Sequence, residues 1–185
     1  MIAVLAVAVP LVLAALAIER WAQVRHIRRQ TLDVLSVVPE LAGVATTGEA
    51  ERTAATAAAV SKRLGLGRHE VRQAAAAGRL RGLAELGAAA EGVAQARLVS
   101  QITTESGLSP SVTRLVNEVL TTSGDRAGKA AAAVRVAVTF ERKRTEPHVT
   151  TAGALFGTVA AHGAGNDRQA AAALVSLMQV PLRSA

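Results

Sequence analysis

The chain begins with an apolar run that carries no charged side chain over residues 1–18. At the rise of an α-helix, such a run would span roughly 27 Å, close to the thickness of the hydrocarbon core of a bilayer. A membrane helix tolerates an internal proline such as Pro10, and Trp21 lies where an aromatic residue at the membrane–water interface is expected. We therefore predict a membrane anchor over residues 1–22.

Arginines follow this run directly: Arg20, Arg25, Arg28 and Arg29. Because positive residues favour the cytoplasmic side, their position predicts a single-pass protein of the cell membrane with its C-terminal part in the cytoplasm. Next to the bilayer these arginines would attract anionic lipid headgroups. The alternative is a cleaved signal peptide, which is typically preceded by basic residues, whereas here they follow the apolar run.

The remaining residues are rich in alanine and valine, and aromatic residues make up only 2% of the chain. A core of such small side chains suits helix against helix better than packed sheets, so we predict an all-α fold of one domain behind the anchor. Cysteine is absent, which excludes disulfides, thiolate nucleophiles and cysteine-ligated metals.

Hydrophobic periodicity predicts a basic juxtamembrane helix over residues 23–45 and a helical domain over residues 46–180. One face of the juxtamembrane helix carries apolar residues at three- and four-residue steps: Leu32, Val34, Leu35, Val38, Leu41 and Val44. We expect this face to pack on the domain or against a second copy of the chain. Glycines and prolines predict further helices over residues 54–64, 68–77, 85–106, 110–120, 127–144, 149–162 and 167–179.

Four segments of the helical domain form a recognisable series: residues 47–54 read TGEAERTA, residues 63–71 read RLGLGRHEV, residues 136–141 read VAVTFE, and residues 163–167 read GAGND. In order and spacing they resemble a degenerate HD-type phosphohydrolase domain of the HD-GYP kind. That family commonly opens with Thr-Gly-His-Ser, continues with a Leu-Gly-Leu turn, and carries Val-Ala-Asp-x-Phe-Asp and a glycine-rich turn near its end. The resemblance implies a helical HD-like fold.

The family binds divalent metals through imidazoles and carboxylates, and these metals activate a water molecule and neutralise the substrate phosphate. The resemblance places five degenerate positions where the family has such ligands: Glu49, Gly78, Arg79, Asn117 and Val138. Of these, only Glu49 can still ligate a metal, and the permanent cation of Arg79 would repel one. The resemblance thus implies a catalytically inactive interaction or regulatory scaffold that uses no metal or cofactor and binds an unidentified protein partner.

Arg79 and Arg81 replace the region of the family's His-Asp doublet, and we predict them as an anion-binding site, the alternative being solvated loop arginines. Two other functions remain open. One is a divergent metal-dependent phosphohydrolase that recruits Glu49, Asp125 or a scattered histidine. The other is a membrane component of a secretion or pilus-assembly machine.

Three histidines lie near predicted helix ends without pairing at ligand spacing, so we interpret His69, His148 and His162 as surface residues. The net charge of +7 raises the question of nucleic-acid binding. Much of that charge lies beside the predicted anchor, and Phe140 and Phe156 are the only phenylalanines in a chain without tyrosine. Because base stacking needs aromatic side chains, we predict no nucleic-acid partner.

Overall fold

Eight α-helices and two short 3-10 helices form the part of the chain that the computed structural model describes. The backbone is described for residues 2–87 and 93–179, and side chains for residues 16–86, 96–124 and 126–178. The helices are α1 (Ile2–Leu41), α2 (Glu49–Arg63), α3 (Arg68–Leu80), 3-10 helix 1 (Arg81–Gly87), α4 (Val93–Glu105), α5 (Pro110–Thr121), 3-10 helix 2 (Gly124–Arg126), α6 (Lys129–Thr145), α7 (Thr151–Ala161) and α8 (Gly165–Gln179). No strand occurs in these ranges, and the prediction of an all-α fold is confirmed.

Helix α1 joins the predicted anchor and the predicted juxtamembrane segment in one continuous helix. Residues 16–30 are all exposed, whereas Leu32, Leu35 and Val38 pack against the core of the domain. The predicted apolar face is therefore only partly correct. Val34 and Leu41 are 66% and 83% exposed, because they point away from the side of α1 that meets the bundle.

Most side chains of the predicted anchor over residues 1–22 lie outside the described ones. Within the described residues, no helix combines the length and the apolar character needed to cross a bilayer.

Two helix boundaries differ from the prediction for identifiable reasons. Helix α2 begins at Glu49 rather than at residue 54, because Gly48 adopts a left-handed φ of +72° that turns the chain directly into the helix. Helix α3 continues through Gly78 to Leu80, where tertiary packing outweighs the low helix propensity of glycine. The region around Glu85, predicted as the start of a long helix, instead belongs to 3-10 helix 1.

Helix α6 occupies the centre of the domain and contributes to both hydrophobic clusters. One of its faces joins α3, α4 and α5 through Ala131, Val134 and Ala137. The other joins α2, α7 and α8 through Val136 and Phe140, among others. The facing α5 buries the residues that periodicity predicts: Val112, Leu115, Val116 and Val119. The core is thus built from small side chains, as the composition predicts, with Phe140 as its largest fully buried member.

Candidate functional site

A small cavity lies where α1, α2, α3, α6 and 3-10 helix 1 meet, and we call it cavity A. Four of the five positions that the family resemblance singles out line it: Glu49, Gly78, Arg79 and Val138. The fifth, Asn117, lies on α5 and is not part of the wall. The volume of cavity A is about 20 Å³, which is room for one or two water molecules. A nucleotide does not fit into it in this conformation.

Glu49 is held in place by the turn that precedes α2. The backbone N–H and the hydroxyl of Thr46 both donate to Oε2 of Glu49, each over 3.0 Å. The other carboxylate oxygen lies 3.9 Å from Nε of Arg142 on α6. The carboxylate of Glu49 therefore holds the turn that begins at Thr46 against the start of α2.

Gly78 marks the point where α3 crosses α2. A Cβ atom at position 78 would lie 3.2 Å from Cα of Ala54 and 3.3 Å from the carbonyl oxygen of Thr53. These are backbone atoms that cannot rotate away. The crossing therefore favours glycine here, since a side chain would require the two backbones to move apart by a few tenths of an ångström.

Arg79 spans two helices with its guanidinium. Its Nη2 lies 2.9 Å from Oε2 of Glu51 on α2, and its Nη1 lies 3.3 Å from Oδ1 of Asp33 on α1. Arg79 and the two carboxylates are all partly exposed. The predicted anion-binding arginine is thus already paired with two carboxylates, and the pairing ties α1 to α2 and α3.

Arg81 lies at the start of 3-10 helix 1 and is mostly buried, with 21% of its side chain exposed. Its Nη1 is 3.7 Å from Oε1 of Glu85, and the same carboxylate pairs with Arg142. Burial, and then the nearby charge of Arg142, lowers the pKa of Arg81 to about 10, so the group remains a cation at neutral pH. Arg79 and Arg81 therefore have different carboxylate neighbours: Glu51 and Asp33 for Arg79, and Glu85 for Arg81.

A buried ionic cluster that sequence reasoning missed connects α6 and α8. Nη2 of Arg135 lies 2.5 Å from Oδ1 of Asp167, and the two side chains are 12% and 8% exposed. His162, also 12% exposed, shares a 2.8 Å hydrogen bond with Thr139, and its Nδ1 lies 3.8 Å from Asp167. The interpretation of His162 as a surface residue is wrong, because the turn after α7 folds it onto α6. In the sequence, this contact is indicated by the glycine-rich turn that precedes Asp167.

Glu141, the last residue of the segment VAVTFE, is 2% exposed in α6. Thr56 donates to its Oε1 over 2.7 Å, and Nη2 of Arg144 lies 2.9 Å from its Oε2. In the part of the chain with described side chains, no group of three histidine, aspartate or glutamate residues is arranged to hold a metal ion.

Comparison with known proteins identifies no relative of this chain. No protein-family model matches the chain, and no curated protein and no solved structure matches it.

Proposed function

We propose that this chain is a membrane-anchored, non-catalytic helical scaffold with an HD-like arrangement, which acts in the cytoplasm by binding or regulating a protein partner. Cavity A is the observation that carries the proposal. Positions from α2, α3 and α6 that the resemblance equates with metal ligands converge on it, as a shared arrangement of helices requires. The charged residues among these positions have protein partners: Arg79 pairs with Glu51 and Asp33, and Glu49 lies 3.9 Å from Arg142.

The charges around cavity A support a structural role for it. Arg79 is paired with Glu51 and Asp33, while Glu85 pairs with both Arg81 and Arg142. A metal ion would have to displace guanidiniums that already neutralise these carboxylates, and a substrate phosphate would compete with carboxylates for them. The pairing of Arg79 and Arg142 with carboxylates favours a non-catalytic site.

Helix α1 supports a regulatory reading of the same region. Ser36 and Pro39 of α1 form part of the wall of cavity A, and Asp33 holds Arg79. Residues 2–18 of the apolar run belong to the same continuous helix, so a membrane anchor and the α1 residues that line the cavity would move together. A partner that shifts α1 would then change the surface presented around the cavity.

The first test measures metal content and turnover on the full chain, purified in non-ionic detergent without chelator. We expect less than one metal in ten chains by elemental analysis and no hydrolysis of a generic phosphodiester with added manganese. One or two metals per chain, together with turnover that is lost in Glu49→Gln, would overturn the proposal in favour of a divergent phosphohydrolase.

The second test concerns the anchor. The full chain and a variant lacking residues 2–18 are mixed with vesicles that contain anionic lipid and are then floated on a density gradient at high salt. We expect only the full chain to float, because salt screens the arginines but not apolar insertion. Equal behaviour of the two proteins would refute the anchor.

A further inference from the structure

A second and larger cavity, which we call cavity B, lies on the other side of Arg81 and has a volume of about 360 Å³. Its wall combines the start of 3-10 helix 1, the end of α5, residues 135–146 in and after α6, and the turn after α7. The charged and titratable residues of the wall are Arg81, Arg135, Arg142, Lys143, Glu146 and His162. Four permanent cations thus line a space in the size range of small-molecule sites.

Two of these cations are already engaged, and two have free hydrogen-bonding capacity. Arg135 is paired with Asp167, and Arg142 with Glu85. In contrast, Nη1 of Arg81 is buried and has no hydrogen-bond partner among the described residues. The nearest partner carboxylate of Arg81, that of Glu85, is 3.7 Å away, beyond hydrogen-bond distance.

Lys143 supplies the second free donor. Among the described side chains, no carboxylate oxygen lies within 4.0 Å of its amino group. Its methylenes lie across Gly157 of α7, where a Cβ atom would be 2.9 Å from Cδ of the lysine. Glycine at this position therefore leaves room for the lysine side chain along α7, where its Nζ would lie 3.3 Å from the same Cβ atom, and Lys143 also lines cavity B.

The lining carries one opposing carboxylate, Glu146, which is exposed. Nη1 lies beside Glu85, which lines cavity A and not cavity B, so an anion in cavity B would accept from the remaining donors of the Arg81 guanidinium. A phosphate group suits this lining better than a carboxylate. It offers more acceptor oxygens and up to two negative charges to donors that approach from several directions.

We propose that cavity B binds the phosphate group of a soluble, phosphorylated small molecule, with Arg81 and Lys143 as the principal donors and Arg142 beside them. Thr139 offers a hydroxyl, and Val119 and Val138 offer apolar surface for the organic part of such a ligand. This binding site goes beyond the scaffold role and needs no metal. It would exist whether or not the HD-like resemblance is correct.

The test is isothermal titration of pyrophosphate into the full chain in non-ionic detergent, with EDTA present so that metal-bound pyrophosphate cannot contribute. We expect saturable binding that Lys143→Gln weakens about tenfold or more, as removal of one charge-assisted hydrogen bond predicts. Lys143→Arg should restore most of the affinity. The matched control is Lys62→Gln, which removes an exposed lysine from α2 and should leave binding unchanged.

Absence of binding at millimolar pyrophosphate would overturn the proposal, and so would equal weakening by Lys143→Gln and Lys62→Gln. A parallel titration in nanodiscs separates a soluble ligand from a lipid headgroup. We expect the same affinity in neutral and anionic discs. If anionic discs abolish pyrophosphate binding, the headgroup occupies the site and the soluble-ligand proposal fails. Circular dichroism of each variant confirms that its helical content is retained.

Discussion

Pro39 of α1 lies directly against Gly82 of 3-10 helix 1. A Cβ atom at position 82 would be only 3.1 Å from Cγ and 3.2 Å from Cβ of the proline. Both residues also line cavity A. The absence of a side chain at position 82 therefore allows α1 to close the cavity.

Substitution of Gly82 by alanine should loosen this contact. The rigid proline ring cannot rotate away, so we expect a loss of about 1–3 kcal/mol in the free energy of unfolding, as for other overpacked contacts. We also expect faster amide exchange over residues 31–41, measured by hydrogen–deuterium exchange on the full chain.

The control for Gly82→Ala is Gly163→Ala. A Cβ atom there meets no other atom within 4 Å, and the residue does not have a positive φ. It should leave exchange in α1 unchanged. Unchanged exchange in Gly82→Ala as well would show that α1 is not held through Pro39.

Substitution of Gly78 by alanine tests the crossing of α2 and α3. Because the neighbouring atoms belong to the backbone of Thr53 and Ala54, we expect the free energy of unfolding to fall by about 1–3 kcal/mol. This loss should outweigh the helix-propensity gain of roughly 1 kcal/mol that alanine brings. Urea titration followed by far-ultraviolet circular dichroism measures it.

Gly153 in α7 provides the comparison for Gly78. A Cβ atom there would make only ordinary contacts, at 3.4 Å and 3.5 Å. We therefore expect Gly153→Ala to be neutral or mildly stabilising. If both alanine variants changed stability in the same direction, the close approach at Gly78 would not be the controlling factor.

Removal of the carboxylate charge in Asp167→Asn should leave Arg135 buried without its counter-charge. We expect a loss of about 3–5 kcal/mol in unfolding free energy, typical of a broken buried pair. Asp33→Asn removes a carboxylate that is 63% exposed and pairs with Arg79, and it should cost less than about 1 kcal/mol. Chemical denaturation compares the two. Similar losses in Asp167→Asn and Asp33→Asn would contradict the prediction that the pair of Arg135 and Asp167 stabilises the fold more than the pair of Arg79 and Asp33.

The stability of the domain should depend on pH through His162. Burial lowers the pKa of His162 below its usual 6.5, Asp167 acts in the opposite direction, and Arg135 adds to the lowering. The unfolded chain therefore takes up a proton near pH 6.5 while the folded chain does not. The contribution of His162 is complete above this pH and is lost as the pH falls below it.

The measurement compares the unfolding free energy at pH 7.5 and pH 5.5 for the wild type and for His162→Gln. The glutamine keeps a polar group beside Thr139 but does not titrate. The carboxylates titrate in both proteins, so their contribution cancels in the comparison. We expect the wild type to lose more stability at pH 5.5 than His162→Gln does. Identical losses would rule out His162 as the source.

Composition and the spacing of apolar residues are sufficient to predict that the fold is all-α. The scarcity of aromatic residues predicts helix packing, and the periodicity of α5 identifies its buried face, because burial on one side of a helix leaves a direct trace in the spacing of apolar residues. Pro110 likewise marks the first residue of α5. Such signals lie within one helix and need no knowledge of its neighbours.

Glu49, Gly78, Arg79 and Val138 were identified in the sequence only through the order of short motifs. That they line one cavity depends on how α2, α3 and α6 cross. The packing of α1 and α2 against α3 gives Arg79 its partners Glu51 and Asp33, which periodicity does not predict because they lie 28 and 46 positions away in the chain.

By itself, the sequence determined the helical class and the apolar, uncharged run over residues 1–18. Side-chain size and helical spacing are local properties that do not depend on how the helices pack. Tertiary structure alone decided that Arg79 and Arg81 have different partners, that His162 is mostly buried beside Asp167, and that Arg81 and Lys143 line a second cavity. These are relations between distant helices, and the free energy of burying a charge depends on which groups the packing brings to it.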